Sequence, residues 1–257
     1  MPYCAAFRSS KHNECYVFSE EKFVVCDYAP GEKKTHVNGP IHISDGFPML
    51  AKTVFEKGID CAFDTKDNQA FIFHGNQCAM IKYAPDPADT RLLLGPIPIS
   101  GMFPCLKGTV FENGINAAIH HLHGKVIIFN GNKIGYLNYK AKYLSWVKNL
   151  RSCFPYWDGT VFTNGIIAAF NSHNKYEAYI FNGKYYARIN YCPTNKNGGY
   201  LVNHKIRRIR NEWPALHALI PFSKTVPLRQ GNMAEIGIGP NSNLVSAGRG
   251  AYLSMAH

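Results

Sequence analysis

No stretch of 18 consecutive apolar residues occurs in this 257-residue chain, so a helical membrane span is excluded. The eight cysteines form no Cys-x-x-Cys pair and no zinc-like spacing, which removes dithiol redox motifs and structural zinc. Gly-x-Ser-x-Gly, His-Glu-x-x-His, a Walker loop and a dinucleotide fingerprint are all missing. Gly237-Ile238-Gly239 lacks the third glycine and a preceding strand. No carboxylates are paired at a spacing for acid–base work, so no enzyme is expected. There is no Asn-x-Ser/Thr sequon. Met1-Pro2-Tyr3-Cys4 does not start a charged-then-apolar leader, and a cytosolic location is the expectation. Acidic residues are also scarce: 17 Asp+Glu stand against 28 Lys+Arg, a net charge of +11. Such a balance favours anionic partners, among them acidic sugars, carboxylate ligands and anionic surfaces. Nucleic-acid binding needs a basic patch and not merely net charge, and it is not expected.

What is present is repetition. An aromatic–proline step occurs four times, at Phe47-Pro48, Phe103-Pro104, Phe154-Pro155 and Trp213-Pro214. Thr-Val-Phe follows three of them, at Thr53–Phe55, Thr109–Phe111 and Thr160–Phe162. A small-residue segment recurs as Ala5-Ala6-Phe7, Cys61-Ala62-Phe63, Ala117-Ala118-Ile119 and Ala168-Ala169-Phe170. An apolar run into a turn follows, as in Ile127–Gly131 and Tyr179–Gly183. A fixed period of this length signals a stacked or closed array.

Within a copy, strand signals dominate. In the third copy, 115–119, Val126–Phe129 and Gly135–Tyr139 read as strands, with an Asn130-Gly131 hairpin turn. A short fourth strand should complete the copy. Ile206, Ile209 and Trp213, and likewise Val147, Leu150 and Phe154, fall at spacings of three and four, which predicts a helix ended by the proline. Four antiparallel strands and a short helix make one propeller blade, and four blades can close a ring. The expected fold is therefore an all-β, four-bladed β-propeller with a central tunnel. The blades should lie near 2–50, 51–106, 107–157 and 158–221, with 222–257 as an irregular tail. Small residues fit the first strand of each blade, which crowds the axis. An open solenoid is the alternative.

Cys15, Cys26 and Cys61 occupy small apolar slots of the repeat, which points to buried free thiols. A Cys4–Cys61 disulfide is the alternative. His120-His121-x-His123 reads either as an exposed polar turn or as a metal or haem-iron ligand. Lys205, Arg207, Arg208 and Arg210 flank the expected helix face, as a solvated surface or as a contact to an anionic partner.

These segments resemble the hemopexin-type repeat and, more narrowly, the legume seed albumin-2 family. The likeness rests on Ala5–Ser10, Asp27–Pro30, Asp60–Phe63, Tyr83–Pro85, Gly108–Gly114, Tyr185–Arg188, Trp213–Leu216 and Ile220-Pro221, and it spans about 3–221. It implies a four-bladed propeller with a tunnel cation, calcium or sodium, held by backbone carbonyls. For those carbonyls it points to Cys4, Asp60, Asn116 and Ile167, and to Ala6, Ala62, Ala118 and Ala169. It also implies a seed storage or stress role, a homodimer, and binding of haem or a polyamine such as spermine. Some members agglutinate red cells, which opens a lectin-like alternative with cell-surface glycans as partners. The family tends to place Asp or Asn just before each small pair. Here Cys4 and Ile167 replace two of those four residues, and the chain is more basic than usual. Both departures disfavour spermine and favour haem, which carries two carboxylates.

Overall fold

The computed structural model describes residues 4–29, 35–65, 67–83, 89–121, 124–191, 199–216 and 219. It contains four sheets of four antiparallel strands. The first sheet comprises β1 (Cys4–Arg8), β2 (Glu14–Ser19), β3 (Lys22–Asp27) and β4 (Thr35–His42). The second comprises β5 (Cys61–Asp64), β6 (Gln69–His74), β7 (Gln77–Lys82) and β8 (Arg91–Pro98). The third holds β9 (Ala117–His120), β10 (Lys125–Asn130), β11 (Lys133–Asn138) and β12 (Tyr143–Asn149). The fourth holds β13 (Ala168–Asn171), β14 (Glu177–Asn182), β15 (Tyr185–Asn190) and β16 (Tyr200–Arg208). Each sheet is a meander in sequence order. A helix of four residues follows each: α1 (Ile43–Gly46), α2 (Ile99–Met102), α3 (Leu150–Cys153) and α4 (Ile209–Glu212).

The ring is closed. Hydrophobic cores lie between blades one and two, two and three, three and four, and four and one. The first strands meet in the same cycle, β1 against β5 and β13, and β9 against β5 and β13. An open solenoid would leave its end blades unpaired. Both faces of a blade are covered by neighbours, so its second strand reads as a continuous apolar run and not as an alternation. Val126–Phe129 is such a run, and all four residues are buried.

The motifs have mechanical jobs. Phe47 packs into the rings of Tyr16, Phe18 and Phe23. Trp213 meets Phe170, Tyr179, Phe181 and Tyr186 edge-on. The following proline opens a 3₁₀ turn, where its missing N–H costs nothing. The threonine of Thr-Val-Phe caps the next turn. Thr109 Oγ1 donates to the Leu106 carbonyl at 2.7 Å and accepts from the Phe111 N–H at 3.2 Å, and Thr53 and Thr160 repeat this. In the hairpin turn Gly131, with φ of 54°, takes the left-handed conformation. Asn130 Nδ2 instead ties the turn to the carbonyls of Val110 and Gly114.

Two expectations need correction. The segments before the aromatic–proline step are mainly strand. Ile206 pairs with Ala187 in β16, Val147 pairs with Gly135 in β12, and only four residues coil into a helix. Each predicted spacing straddles a boundary: Val147 and Ile206 lie near the ends of the strands, and only the steps from Leu150 to Phe154 and from Ile209 to Trp213 follow a helix. The fourth strand is also not short: at seven to nine residues it is the longest of each blade.

Candidate functional site

The first strands surround the axis, and hydrogen bonding decides what they present to it. Ser9 donates its N–H to Glu14, Thr65 to Gln69, His121 to Lys125 and Ser172 to Glu177. In an antiparallel ladder a residue turns both its backbone groups to one side, and the next residue turns them to the other. Phe7, Phe63, Ile119 and Phe170 therefore bond their own second strands. Ala6, Ala62, Ala118 and Ala169 direct N–H and C=O to the opposite edge, toward the axis. Their methyl groups pack between blades, one in each inter-blade core. Small residues are needed because the sheets converge there, and not because side chains fill the hollow.

One layer earlier stand Cys4, Asp60, Asn116 and Ile167, where the strands begin. Asp60, Asn116 and Ile167 donate their N–H groups to Phe73, Phe129 and Phe181, the partners of the residues that follow them, so the alternation is broken where the strands begin and the ladder phase fixes the direction of the alanine carbonyls only. The polar side chains at this level serve the hairpins. Asp60 Oδ2 accepts from the Gly75 N–H at 2.6 Å, and Asn116 Oδ1 from the Gly131 N–H at 2.8 Å. Asp60 also lies 3.3 Å from His74 Nδ1. Burial pushes the Asp60 carboxyl up, against the pull of the Gly75 N–H and His74.

One layer beyond the alanines the strands end in Arg8, Asp64, His120 and Asn171, one from each blade. They close on one another. The Arg8 guanidinium donates to Asp64 Oδ2 at 2.7 Å and 3.2 Å. The His120 N–H donates to Asn171 Oδ1 at 2.6 Å, and Asn171 Nδ2 returns a bond to the His120 carbonyl at 2.8 Å. A tyrosine from each blade backs this quartet. The Tyr83 hydroxyl donates to the Arg8 carbonyl, Tyr139 meets His120 Nε2, and Tyr191 bonds Asn171 and His120. Tyr28 is hydrogen-bonded to His173. Burial would lower the Arg8 pKa, but the Asp64 carboxylate outweighs it and the net shift is upward. Burial lowers the pKa of His120. One mouth of the axis is thus a saturated polar plug, while the carbonyls of the two preceding layers have no such side-chain donors among the described hydrogen bonds.

The first two histidines of the cluster, His120 and His121, do not stand exposed in a turn. His121 is buried with Nδ1 2.7 Å from the Tyr136 hydroxyl, and His120 belongs to the plug. His123 lies outside the described residues. No group of three His, Cys, Asp or Glu side chains is gathered for a metal among the described residues. Cys15, Cys26, Cys61, Cys78 and Cys153 are buried and free, and the side chain of Cys4 lies outside the described ones. Burial pushes the Cys78 thiol up to about 12.

The basic stretch is split. Lys205, Arg207 and Arg208 stand on β16, and Arg210 on α4. Arg208 lies over the Tyr185 ring, whereas Lys205 and Arg207 line a cavity with Arg188. Alternation along a strand sends neighbours to opposite faces, so the four do not form one patch. Arg188 was not among the expected contacts, because only the β15–β16 pairing brings it there. The quartet and the four tyrosines were also missed, although each recurs at a fixed place in the repeat.

Fold and axis together define a four-bladed propeller of the hemopexin type. No family model matches the chain. It is 42% identical over 223 residues to an Albumin-2 of Pisum sativum, covering 85% of this chain and 96% of that protein. The chain belongs to the albumin-2 family of seed albumins. It superposes on the hemopexin-fold protein CP4 from cow pea with a TM-score of 0.81 at 41% identity, covering 86% and 100% of the two chains. A plant albumin from Cicer arietinum showing hemagglutination gives 0.80 at 43% identity, covering 84% and 97%. A plant lectin with two metal-binding sites, from the same species, gives 0.80 at 44%, covering 85% and 99%.

Proposed function

We propose that this chain is a non-enzymatic seed albumin whose axis holds a hard cation, calcium or sodium, on backbone carbonyls. Those of Ala6, Ala62, Ala118 and Ala169 would form one layer, and those of Cys4, Asp60, Asn116 and Ile167 the layer before it. The observation that carries this reading is the ladder phase, which turns the alanine backbone groups to the axis in all four blades. Two layers of four offer up to eight oxygens, and calcium takes about six to eight. The two metal sites of the Cicer arietinum lectin support the same reading. Backbone oxygens act as ligands and take up no proton, and the titratable side chains in and beside these layers are engaged, Asp60 by the Gly75 N–H, Asp64 by Arg8 and His120 by Tyr139. Catalysis would need a free base beside the cation. Calcium or sodium added to chelator-treated protein should raise Tm, by about 2.7 kcal/mol of stability at 100 times Kd. A Tm indifferent to both ions would overturn the reading.

For the carried ligand, haem is favoured over spermine. Asp64 is neutralised by Arg8, Asp60 serves its hairpin, and the chain is +11. Titrations at matched salt should show a Soret response and weaker polyamine binding. Tight spermine binding without a haem response would reverse the order.

A second reading, agglutination, is favoured by the hemagglutinating relative from Cicer arietinum. It needs at least two binding surfaces per particle, as a chain pair would supply. Clumping lost near ~0.5 M salt would mark charge attraction, since the Debye length is then a few Å. Inhibition by one neutral sugar would mark a lectin pocket.

A further inference from the structure

The four blades are copies, so a place where one copy departs chemically from the others is informative. Such a place lies on the fourth blade, on the face turned toward the first. Opposite Ala187 and Ile189 of β15 stand Ile206 and Leu201, so five residues of β16 span two of its partner. Over the whole pairing β16 sets nine residues against the six of β15, whereas β4 and β8 set eight against six and β12 seven against six. The enlarged bulge includes Asn203 and His204 side by side at φ of 59° and 50°, a left-handed conformation that non-glycine residues rarely adopt. Strain of this kind persists only where surrounding structure enforces it, and bulges re-aim side chains.

The bulge frames a cavity of about 90 Å³ lined by Arg188, Lys205 and Arg207, with Tyr179 and Tyr186 behind them. The equivalent cavity of the first blade, about 160 Å³, is lined by Tyr16, Phe23, Val25 and Ile41 among others. The cavity of about 310 Å³ beside Phe71 and Met80 of the second blade is not its counterpart, since it opens on Asp67 and Lys140 and is lined by no residue of β8. Register equates Arg188 with Val25, Met80 and Tyr136, and Arg207 with Ile41, Ile97 and Lys148. In the first two blades apolar residues satisfy the packing at both places, and the third has a single cation there, Lys148 over the Trp146 ring, so packing does not account for a cluster of three. Glu177 lies 3.5 Å from Arg188, and Glu212 lies 3.1 Å from Arg207. Lys205 has no ion pair among the described residues and is exposed, so the cluster keeps an excess positive charge. Each guanidinium has five N–H donors, more than one carboxylate contact uses.

We infer that this bulge pocket binds the carboxylate of an acidic sugar. The volume admits a head group and not a whole ligand, since sites for drug-sized molecules run to roughly 300–1,000 Å³. A planar guanidinium fork matches a carboxylate in two parallel hydrogen bonds. The exposed Lys205 adds charge at the rim, and the remainder of the sugar stays in solvent. The inference rests neither on the axial cation nor on agglutination.

Calorimetric titration of the full chain with glucuronic acid tests it, with glucose and inorganic sulfate as comparators. Glucuronic acid should bind saturably and glucose should not. Lys205→Glu should weaken binding about tenfold or more, whereas Lys107→Glu, an equal charge change on the exposed surface of another blade, should leave it unchanged. Arg188→Lys keeps the charge but removes the fork and should also weaken binding. Absence of saturable glucuronate binding, binding of sulfate alone, or equal losses from Lys205→Glu and Lys107→Glu would overturn the assignment.

Discussion

His173 shows how a single side chain can carry acid sensitivity. Its Nδ1 accepts the Asn13 N–H at 3.0 Å and also meets the Tyr28 hydroxyl, so a proton there would displace existing donors. Burial, reinforced by the positive charges of Arg8 and His12, pushes its pKa down to about 4 from 6.5. The unfolded chain takes up the proton first as pH falls, so this contribution to stability is complete above pH 6.5 and lost toward pH 4. His173→Gln removes the titration. The drop in Tm between about pH 7 and about pH 4.5 should then shrink. An unchanged drop would assign acid sensitivity to other groups. At the same scale, Asp60 and Asn116 illustrate a role that residue type alone misassigns. Polar side chains at a tunnel mouth look like ligand groups, but their oxygens hold the amides of Gly75 and Gly131.

At the scale of the element, the first two linkers between blades are each built from two short 3₁₀ turns with threonine capping the second, and in the third linker Thr160 caps a plain turn. Turns of this length have too few internal bonds to persist alone. The Thr109 hydroxyl therefore matters beyond its size, because it bonds both the incoming and outgoing backbone. Thr109→Val keeps the shape and loses both bonds. It should cost about 1 kcal/mol, or a fall of roughly 2–4 °C in Tm for a chain of this size. A melting curve superimposable on the wild type would show that water replaces the cap without loss. The outer strands teach the opposite lesson about local patterns. Ile206, Ile209 and Trp213 have helical spacing, yet Ile206 is held in a ladder by Ala187. Only the step from Ile209 to Trp213 is helical, and pairing with β15 overrides the local preference before it.

For the whole molecule, ring closure is the decisive event. The Pro214–Leu216 turn packs on β3 and β4, and Trp213 shares a core with Val17, Val24 and Cys26 of the first blade. The last segment of the described chain therefore seals the ring to its beginning. Trp213→Ala should destabilise the propeller by about 3–5 kcal/mol, and hydrogen exchange should then rise in β1 and β13 before β5 and β9. Equal exchange at all four inner strands would place the weakest seam elsewhere. Closure also joins the plug. Arg8 and Asp64 are 56 positions apart, and His120 and Asn171 are 51 apart, so no local signal announces either pair.

The amino-acid sequence by itself determined the number of blades, the strand content, the position of each small pair and the aromatic wedge before each proline. These are local or periodic properties, set by side-chain size, alternation and turn chemistry, and they repeat wherever the same segment repeats. The tertiary structure alone decided which backbone groups face the axis, since that depends on ladder phase. It also decided that Arg8, Asp64, His120 and Asn171 plug one mouth, and that Arg188 joins Lys205 and Arg207 beside an enlarged bulge. Such groupings arise from strand register and from contacts between distant copies, and neither is written in the spacing of residues along the chain.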